Sequence, residues 1–379
     1  MPVVTCIEDL RELSRRRVAR AVFDYVDRGS YSEATLRANR ADLESLALRQ
    51  RVGIDVDRRS LRTTMLGREV RIPVGLAPVG LTGLNWADGE ILAARAAERY
   101  GVPYILSTMS ICSIEDVAGG VTQPFWFQLY VMRDRGFATS LIERAKAAKC
   151  SALVLTLDLQ IQGQRHQDIK NGLAVPPNLT WGTAFDILRK PGWALNVLRG
   201  KRKSFGNLEG RIPDAKSLTT LSQWIAGQFD PTLSWKDVEW VKKLWGGKLV
   251  LKGILDAEDA RIAAQSGADA IVVSNHGGRQ LDGAVSSIRA LPEIVEAVNS
   301  KIEVWLDGGI RSGQDVLKAL ALGARAVLIG RAYAYGLGAL GEAGVTLALE
   351  LIERELDVTL ALCGLRDVKD ASPAILRNA

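Results

Sequence analysis

Cysteine and histidine are scarce in this chain of 379 residues, with four of the first and two of the second. Cys6, Cys112, Cys150 and Cys363 lie far apart and form no CxxC pair. That spacing excludes a thiolate zinc site and points to reduced thiols in a cytoplasmic setting, and no other metal site is expected. No run of about 18 apolar residues occurs, so no helix is expected to span a membrane. The opening, MPVVTCIEDLRELSRRRVAR, lacks the apolar core of a secretion signal and reads as a basic helix. A GxGxxG fingerprint after the first strand is missing too, which argues against a dinucleotide-binding open sheet. The charge surplus is small: 49 Lys and Arg against 43 Asp and Glu give +6, too little to argue for a nucleic-acid partner. Apolar residues are not scarce. They make up 47% of the chain, enough to bury a sizeable core and to exclude disorder.

From residue 70 onward one unit repeats: a short apolar run, a turn with Gly or Ser, then a helical pattern. The runs are residues 72–79, 103–109, 124–131 and 152–159, then 248–254, 270–276, 303–309 and 326–331. Continuous apolar runs of this length indicate strands buried on both faces, as in parallel sheets. Between them, segments such as GEILAARAAERYG and GQDVLKALALG carry helix-period apolar positions and end at Gly. Eight such units predict an α/β fold, a (β/α)8 TIM barrel, in a single domain over residues 1–379. Residues 1–69 are expected to form a helical extension, with LRELSRRRVARAVFDYV as an amphipathic opener, and 70–379 the barrel. The spacing between the fourth and fifth runs is about three times the usual. A long insertion, residues 160–233, is therefore expected after strand 4.

In such barrels chemistry sits where the strands end. Polar residues gather there: Gly80 after strand one, Ser107 and Thr108, Gln128 and Tyr130, Thr156 and Asp158, Lys252, then Ser274, His276 and Arg279, Asp307 and Arg311, and Gly330 with Arg331. One or two would be satisfied polar groups at strand ends; an uninterrupted series of eight points to a site. His166 lies in the long loop among Gln and Asp and reads as a surface residue. His276 ends an apolar strand and opens HGGRQLDG, a glycine-permitted turn that brings backbone close to a ligand. Imidazole is the side chain best matched to proton transfer near neutral pH, although a packed core histidine is the plainer alternative. Asp307 is expected to orient that ring, and Arg279 offers a planar fork for a carboxylate. DGGIRSG and IGRA, after strands seven and eight, supply backbone N–H groups and two arginines for a phosphorylated ligand.

Around SNHGGRQLDG the sequence closely resembles the FMN-dependent L-2-hydroxy acid oxidoreductases. The resemblance runs from YVDRGSYSE through APVGLTG, WFQLYV, LTLDL, VLKGIL and DGGIRSG to IGRAYAYGLGALGE, nearly the whole chain. YSEATLRANR, LALRQR, MRDRGF, ERAKAAKC and FDPTLSWKDVEW bring it nearest to the respiratory, membrane-associated L-lactate dehydrogenases. It implies FMN as cofactor and oxidation of an L-2-hydroxy acid to the 2-oxo acid, foremost L-lactate to pyruvate. L-mandelate oxidation and a glycolate-type oxidase using oxygen are the alternatives, with an amine- or peptide-oxidising member more remote. It assigns His276 as the base with Asp307 as its partner, and Arg279 and Arg165 as the carboxylate clamp. Tyr25 and Tyr130 contact substrate, with Asp158 behind Tyr130 or near His276. Lys252 stabilises negative charge on the flavin ring. Pro78, Val79 and Gly80 line the ring, and Ser107, Gln128, Thr156 and Ser274 bond it or the ribityl chain. Asp307, Gly309, Arg311, Gly330 and Arg331 complete the cofactor site. Met109 stands where glycolate oxidase has a pocket tryptophan, so substrate size is not inherited from that enzyme. Gly80 stands where oxidases carry alanine, which favours a quinone or cytochrome acceptor over oxygen. A homo-oligomer, by resemblance a tetramer, is also implied.

Within the insertion Trp181, Phe185, Leu188, Trp193 and Val197 recur at near-helical spacing, with Arg189, Lys190, Arg199, Lys201, Arg202 and Lys203 alongside. This is the composition of a segment lying on an anionic membrane surface, at the cytoplasmic face of the inner membrane. A lid whose apolar face packs on the barrel of a cytoplasmic protein is the alternative. Two further classes compete with the flavin enzyme: a flavin-free barrel isomerase or synthase, which leaves Lys252 and Gln128 unexplained, and a non-catalytic membrane scaffold.

Overall fold

The computed structural model describes residues 3–172, 181–209, 224 and 227–377. Of the insertion, residues 173–180, 210–223, 225 and 226 lie outside that description, as does the Trp181 side chain. Eight parallel strands form the centre: β1 (Val74–Leu76), β2 (Ile105–Ser107), β3 (Trp126–Leu129), β4 (Ala152–Thr156), β5 (Lys248–Ile254), β6 (Ala270–Val273), β7 (Glu303–Asp307) and β8 (Ala326–Ile329). Each pairs with the next from β2 to β8, β8 pairs with β1, and a bridge from Leu76 to Tyr104 brings β1 back beside β2. The sheet closes into a barrel, at the eight places where apolar runs were read.

Strand alternation separates two cores. Ala77, Ile105, Trp126, Val154, Val250, Val272, Trp305 and Leu328 form the inner cluster, while Leu153, Leu155, Leu249 and Leu251 join the larger one under the helices. Trp126 and Trp305 stack inside with ring centroids 5.3 Å apart and fill the lower barrel.

The N-terminal extension departs from a uniform helix. Its opener is two helices, α1 (Ile7–Arg17) and α2 (Arg20–Asp27), because Val18 and Ala19 take extended backbone and are buried. After α3 (Ala34–Ser45) the chain is extended. Ala47–Leu48 pairs with Leu376–Arg377, and Thr63–Met65 forms a hairpin with Arg68–Val70. Both turn residues of that hairpin, Leu66 and Gly67, have positive φ (52° and 81°), the geometry of the tight turns that suit strand twist. Met65 and Val70 plug the barrel floor. The hairpin was missed because its turn is Leu-Gly, without the Asn or Asp that usually marks one.

Helices Trp181–Leu188 and Pro191–Arg199 carry the described part of the insertion. Their exposed apolar face is the expected one only in part. Trp193 is buried, with Nε1 donating to the Leu84 carbonyl at 2.8 Å, and Val197 packs against the core. Phe185 and Leu188 are exposed as expected, and Leu195 and Leu198 are exposed in place of Trp193 and Val197. Nor are all six cations free: Arg202 bridges Asp88 and Asp116 at 2.7 Å each, and the Lys190 ammonium donates to the Arg15 and Arg16 carbonyls. Among the described residues no helix is long and apolar enough to cross a membrane.

Candidate active site

The site follows from the alternation inside the barrel. Two residues beyond each inner apolar side chain, on the same face, stand Val79, Ser107, Gln128, Thr156, Lys252, Ser274, Asp307 and Gly330. The apolar interior thus ends in a mostly polar rung at the C-terminal mouth. Gln128, Thr156 and Ser274 are buried, and so is Lys252 at 4% exposure, so these groups must satisfy one another or a ligand. The Ser107 hydroxyl donates to Gln128 Oε1 (3.2 Å), and Gln128 Nε2 donates to Thr156 Oγ1 (3.0 Å). Lys252 Nζ donates to Ser274 Oγ (2.8 Å) and pairs with Asp307 Oδ2 (2.9 Å). Burial disfavours the Lys252 charge, but Asp307 and the field of Asp158 outweigh it and hold the ammonium protonated.

One level higher, His276 Nδ1 lies 2.9 Å from Asp158 Oδ1. This corrects the expected pairing, in which Asp307 orients the histidine. Asp307 is spent on Lys252; Asp158 holds the ring. Burial lowers the affinity of His276 for a proton more than Asp158 raises it, while His276 and Lys252 keep Asp158 ionised against its own burial. The resting pair is therefore neutral imidazole with carboxylate. An ionised carboxylate only accepts, so Nδ1 carries the hydrogen and Nε2 keeps its lone pair. Asp158 sits so close to β5 that a Cβ on Gly253 would stand 2.6 Å from its carboxyl carbon, and Gly253 has φ +99°. The glycine in VLKGIL makes that approach possible. His276 itself has φ +58°, followed by Gly277 and Gly278 at +64° and +72°. A bulky side chain in the left-handed region is strained, and such strain concentrates at functional sites.

Ser107, Thr156, Lys252, His276 and Asp307 line one cavity of about 230 Å³, room for far more than the few waters a hydration pocket holds. Gln128, Ser274 and Asp158 bond to those lining residues and do not line it themselves. Tyr25, Met109, Tyr130, Arg165 and Arg279 line it as expected by resemblance, together with Gly80 and Val79. The Arg279 guanidinium lies 4.7 Å over the Tyr25 ring and donates to the carbonyls of Tyr25 and Arg28. Arg165 Nε reaches the Arg279 carbonyl at 3.5 Å. Desolvation, then repulsion from Arg165, pulls the Arg279 pKa down. At the β7–β8 end, Gly308, Gly309, Arg311, Gly330 and Arg331 line the same cavity. Arg331 is committed to the carbonyls of Val26, Gly277 and Arg28, and burial pushes it down to about 10. Among the described residues the Arg311 side chain bonds only the Ile310 carbonyl. His166 is exposed, edge-on to Tyr31.

The sequence reading missed several members. Gln280 donates from Nε2 to the carbonyls of Asp158 (2.6 Å) and Ile161 (3.0 Å), tying the loops after β4 and β6 together. Phe205 and Phe229 bring the insertion into the cavity wall, and Asp168 lines it beside the arginines. Only the proximity of Gln280 to HGGR was available as a signal. Among the described residues, no group of three or more His, Cys, Asp or Glu is placed to hold a metal ion.

Comparison with known proteins places the chain. The FMN-dependent dehydrogenase family matches residues 14–378. The chain belongs to the FMN-dependent dehydrogenase family. Its curated relatives include an L-lactate dehydrogenase of Caulobacter vibrioides, 49% identical over 375 residues, which cover 99% of this chain and 98% of the relative. An L-lactate dehydrogenase of Pseudomonas syringae is 46% identical over 378 residues, covering 100% and 99%. Among solved structures it is similar to a monotopic membrane protein, (S)-mandelate dehydrogenase, with TM-score 0.95 and 37% identity over 100% of both chains. A soluble mutant of the membrane-associated (S)-mandelate dehydrogenase from Pseudomonas putida gives TM-score 0.86 at 36% identity, again over 100% of both chains.

The family's cofactor fits the residues present. Ser107, Thr156 and Lys252 offer hydroxyl and ammonium groups to the cavity, suited to the edge of an isoalloxazine ring, with the Gln128 amide bonded to Ser107 and Thr156. Asp307 Oδ1 is buried without a hydrogen-bond partner among the described residues. The β7–β8 end offers glycine backbone and cationic side chains, suited to a phosphate. Gly309 is needed there, since a Cβ on it would stand 2.5 Å from the Asn39 carbonyl oxygen. Gly80 is nearly as constrained: a Cβ would lie 3.1 Å from both the Tyr25 hydroxyl and the Met109 carbonyl oxygen. Gly80→Ala is therefore expected to displace Tyr25 by a few tenths of an ångström and to lower kcat/KM roughly two- to tenfold, with FMN retained. Steady-state kinetics beside the flavin spectrum checks this; an unchanged kcat/KM would show that Tyr25 does not position substrate.

Proposed function

We propose that the protein oxidises L-lactate to pyruvate with FMN and passes the electrons to a quinone or cytochrome at a membrane surface. The observation that carries the reading is the His276–Asp158 pair, set between the Arg165–Arg279 cluster and buried Lys252. When bound, FMN supplies the two-electron acceptor for the hydroxy acid. Arg279 and Arg165 hold the substrate carboxylate, and Tyr25 and Tyr130 flank it. His276 takes a substrate proton at Nε2, and Asp158 stabilises the imidazolium through Nδ1. Lys252, kept cationic by Asp307, sets positive charge beside the acceptor. Phe205, Phe229 and Met109 exclude water from the wall. The lactate assignment leans on the relatives of nearly half identity. L-mandelate is the second reading, favoured by the likeness in backbone to (S)-mandelate dehydrogenase and by those same apolar walls.

The test is turnover of L-lactate, L-mandelate, glycolate and D-lactate by the yellow holoprotein with an artificial acceptor. L-lactate is expected to give the highest kcat/KM and D-lactate none. Absence of turnover with every L-2-hydroxy acid would overturn the reading. Arg279→Lys is expected to raise KM for L-lactate roughly 10- to 100-fold, because a point charge replaces a planar fork and hydrogen bonds to charged groups are lost. Unchanged kinetics would place the carboxylate elsewhere.

The membrane reading rests on the exposed Phe185, Leu188, Leu195 and Leu198 beside basic residues, and on the membrane association named for the mandelate enzyme. Gly80, with no methyl group against the flavin position, supports an acceptor other than oxygen.

A further inference from the structure

The cavity holds one charged group to which the reading above gives no role. Asp168 lies on the short helix His166–Lys170, whose N-cap is Arg165, and it is only 8% exposed. Its carboxylate faces the cavity, yet among the described residues it accepts no hydrogen bond. Its one ion pair is loose, 4.0 Å from Arg165 Nη1. Arg279 is the other cation facing it, and Asp24 on α2 is the anion facing it from behind. Asp24 is itself occupied, accepting from Asn171 Nδ2 at 2.8 Å and pairing with Arg20 and Arg28 at 3.5 and 4.0 Å. Tyr25, Tyr130 and His276 line the same cavity, with Lys252, Asp307, Arg311 and Arg331 as its further charged groups.

A buried carboxylate normally gains hydrogen bonds; among the described residues this one has none, and it stands against two guanidinium groups that repel each other. We propose that Asp168 is a positioning residue, the resident anion of the carboxylate cradle, which counterbalances Arg165 and Arg279 in the empty site and yields Arg165 to the substrate carboxylate. The inference rests on the reading of Arg165 and Arg279 as that cradle.

Two consequences follow from electrostatics alone. A fixed anion beside the two arginines weakens their hold on a second anion, so it limits affinity and eases departure of a carboxylate product. The coupling is also reciprocal: an arriving carboxylate raises the proton affinity of Asp168 by the same factor that Asp168 weakens the arrival. Burial, outweighing the two arginines, already raises its pKa, which brings this coupling toward the working pH range.

The experiment is a titration of the FMN-loaded protein with oxalate, an unreactive small carboxylate, followed by the flavin visible spectrum between pH 5 and pH 8. Asp168→Asn is expected to bind oxalate roughly three- to tenfold more tightly than wild type at pH 8, equivalent to about half to one pKa unit of coupling. The ratio is expected to shrink as pH falls, because protonation removes the wild-type charge. A ratio of one throughout, or weaker binding by Asp168→Asn, overturns the proposal. Asp168→Ser serves if the asparagine variant does not fold. Calorimetry of oxalate binding to His276→Gln, in two buffers of different ionisation enthalpy, reads proton uptake with Asp168 intact and the imidazole gone. Uptake is expected, and its absence overturns the proposal. If Arg279→Lys fails to weaken oxalate, the cradle reading itself is wrong. If Arg279→Lys weakens it and Asp168→Asn changes nothing, only the role of Asp168 falls.

Discussion

His276→Ala is expected to lower kcat with L-lactate by about 10²- to 10⁴-fold, the range for loss of a positioned general base, while FMN remains bound. Flavin retention follows from geometry, since the cationic end at Arg311 and Arg331 and the rung of Gln128, Thr156 and Lys252 do not depend on the imidazole. Replacing His276 also relieves the strained +58° backbone only partly, because alanine tolerates that region little better. A yellow protein with intact spectrum and lost turnover is therefore the expected phenotype, and a loss of only a few-fold would move the base elsewhere. Asp158→Asn separates the two carboxylates. An opposite charge this close shifts an imidazole by about one to three pKa units, so its removal is expected to lower kcat roughly 10- to 10³-fold. Asp307→Asn acts on Lys252 instead and is expected to disturb the flavin spectrum, which Asp158→Asn leaves alone. In the free wild-type enzyme the base must be neutral, and burial lowers the His276 pKa. The acid limb of kcat/KM is therefore expected below the ordinary imidazole value of about 6.5, with activity falling as pH drops through it.

The pairing of acids and bases was within reach of the sequence, although simple adjacency along the chain misled. Barrel side chains stack in layers contributed by alternate strands. Lys252 and Asp307 each stand two residues past an inner apolar position, Val250 and Trp305, on odd strands β5 and β7. Asp158 and His276 each stand four past, beyond Val154 and Val272, on even strands β4 and β6. Counting height pairs Lys252 with Asp307 and His276 with Asp158, as the structure does. Pairing Asp307 with His276 because it ends the next strand ignores that the two stand at different heights in the barrel. The strands themselves were legible because apolar runs buried on both faces leave little ambiguity. What stayed hidden came from approach between distant segments: Gln280 bridging two loops, Asp168 turned toward two arginines, and the Leu66–Gly67 turn closing the barrel floor. None of these has a local pattern.

The proposed membrane contact is where the observed helix faces matter most. Helices Trp181–Leu188 and Pro191–Arg199 expose Phe185 and Leu188, at 60% and 77%, and Leu195 and Leu198, at 52% and 64%. Each pair is three residues apart, so each helix presents two adjacent apolar side chains. Burying such a side chain is worth roughly 1.5–3 kcal/mol when complete, and four partly exposed ones sum to enough for firm peripheral binding. Arg189, Arg199, Lys201 and Lys203 make no ion pair among the described residues, and each adds about 1 kcal/mol beside an anionic headgroup layer. Changing Phe185, Leu188, Leu195 and Leu198 together to Ser is therefore expected to release the protein from vesicles of any headgroup charge. Changing Lys201 and Lys203 to Glu is expected to release it from anionic vesicles only, and salt mimics that second effect because screening sets in within about 10 Å at 0.1 M. Dye-linked turnover of L-lactate is expected to persist in both variants, since none of these six side chains lines the cavity. Trp193→Phe is the internal control: it removes the bond to Leu84 without touching the exposed face, and so is expected to stay on the vesicles. Sedimentation with vesicles at low salt decides the matter. A wild-type protein left in the supernatant, making peroxide at its full dye-linked rate, would be a soluble oxidase instead.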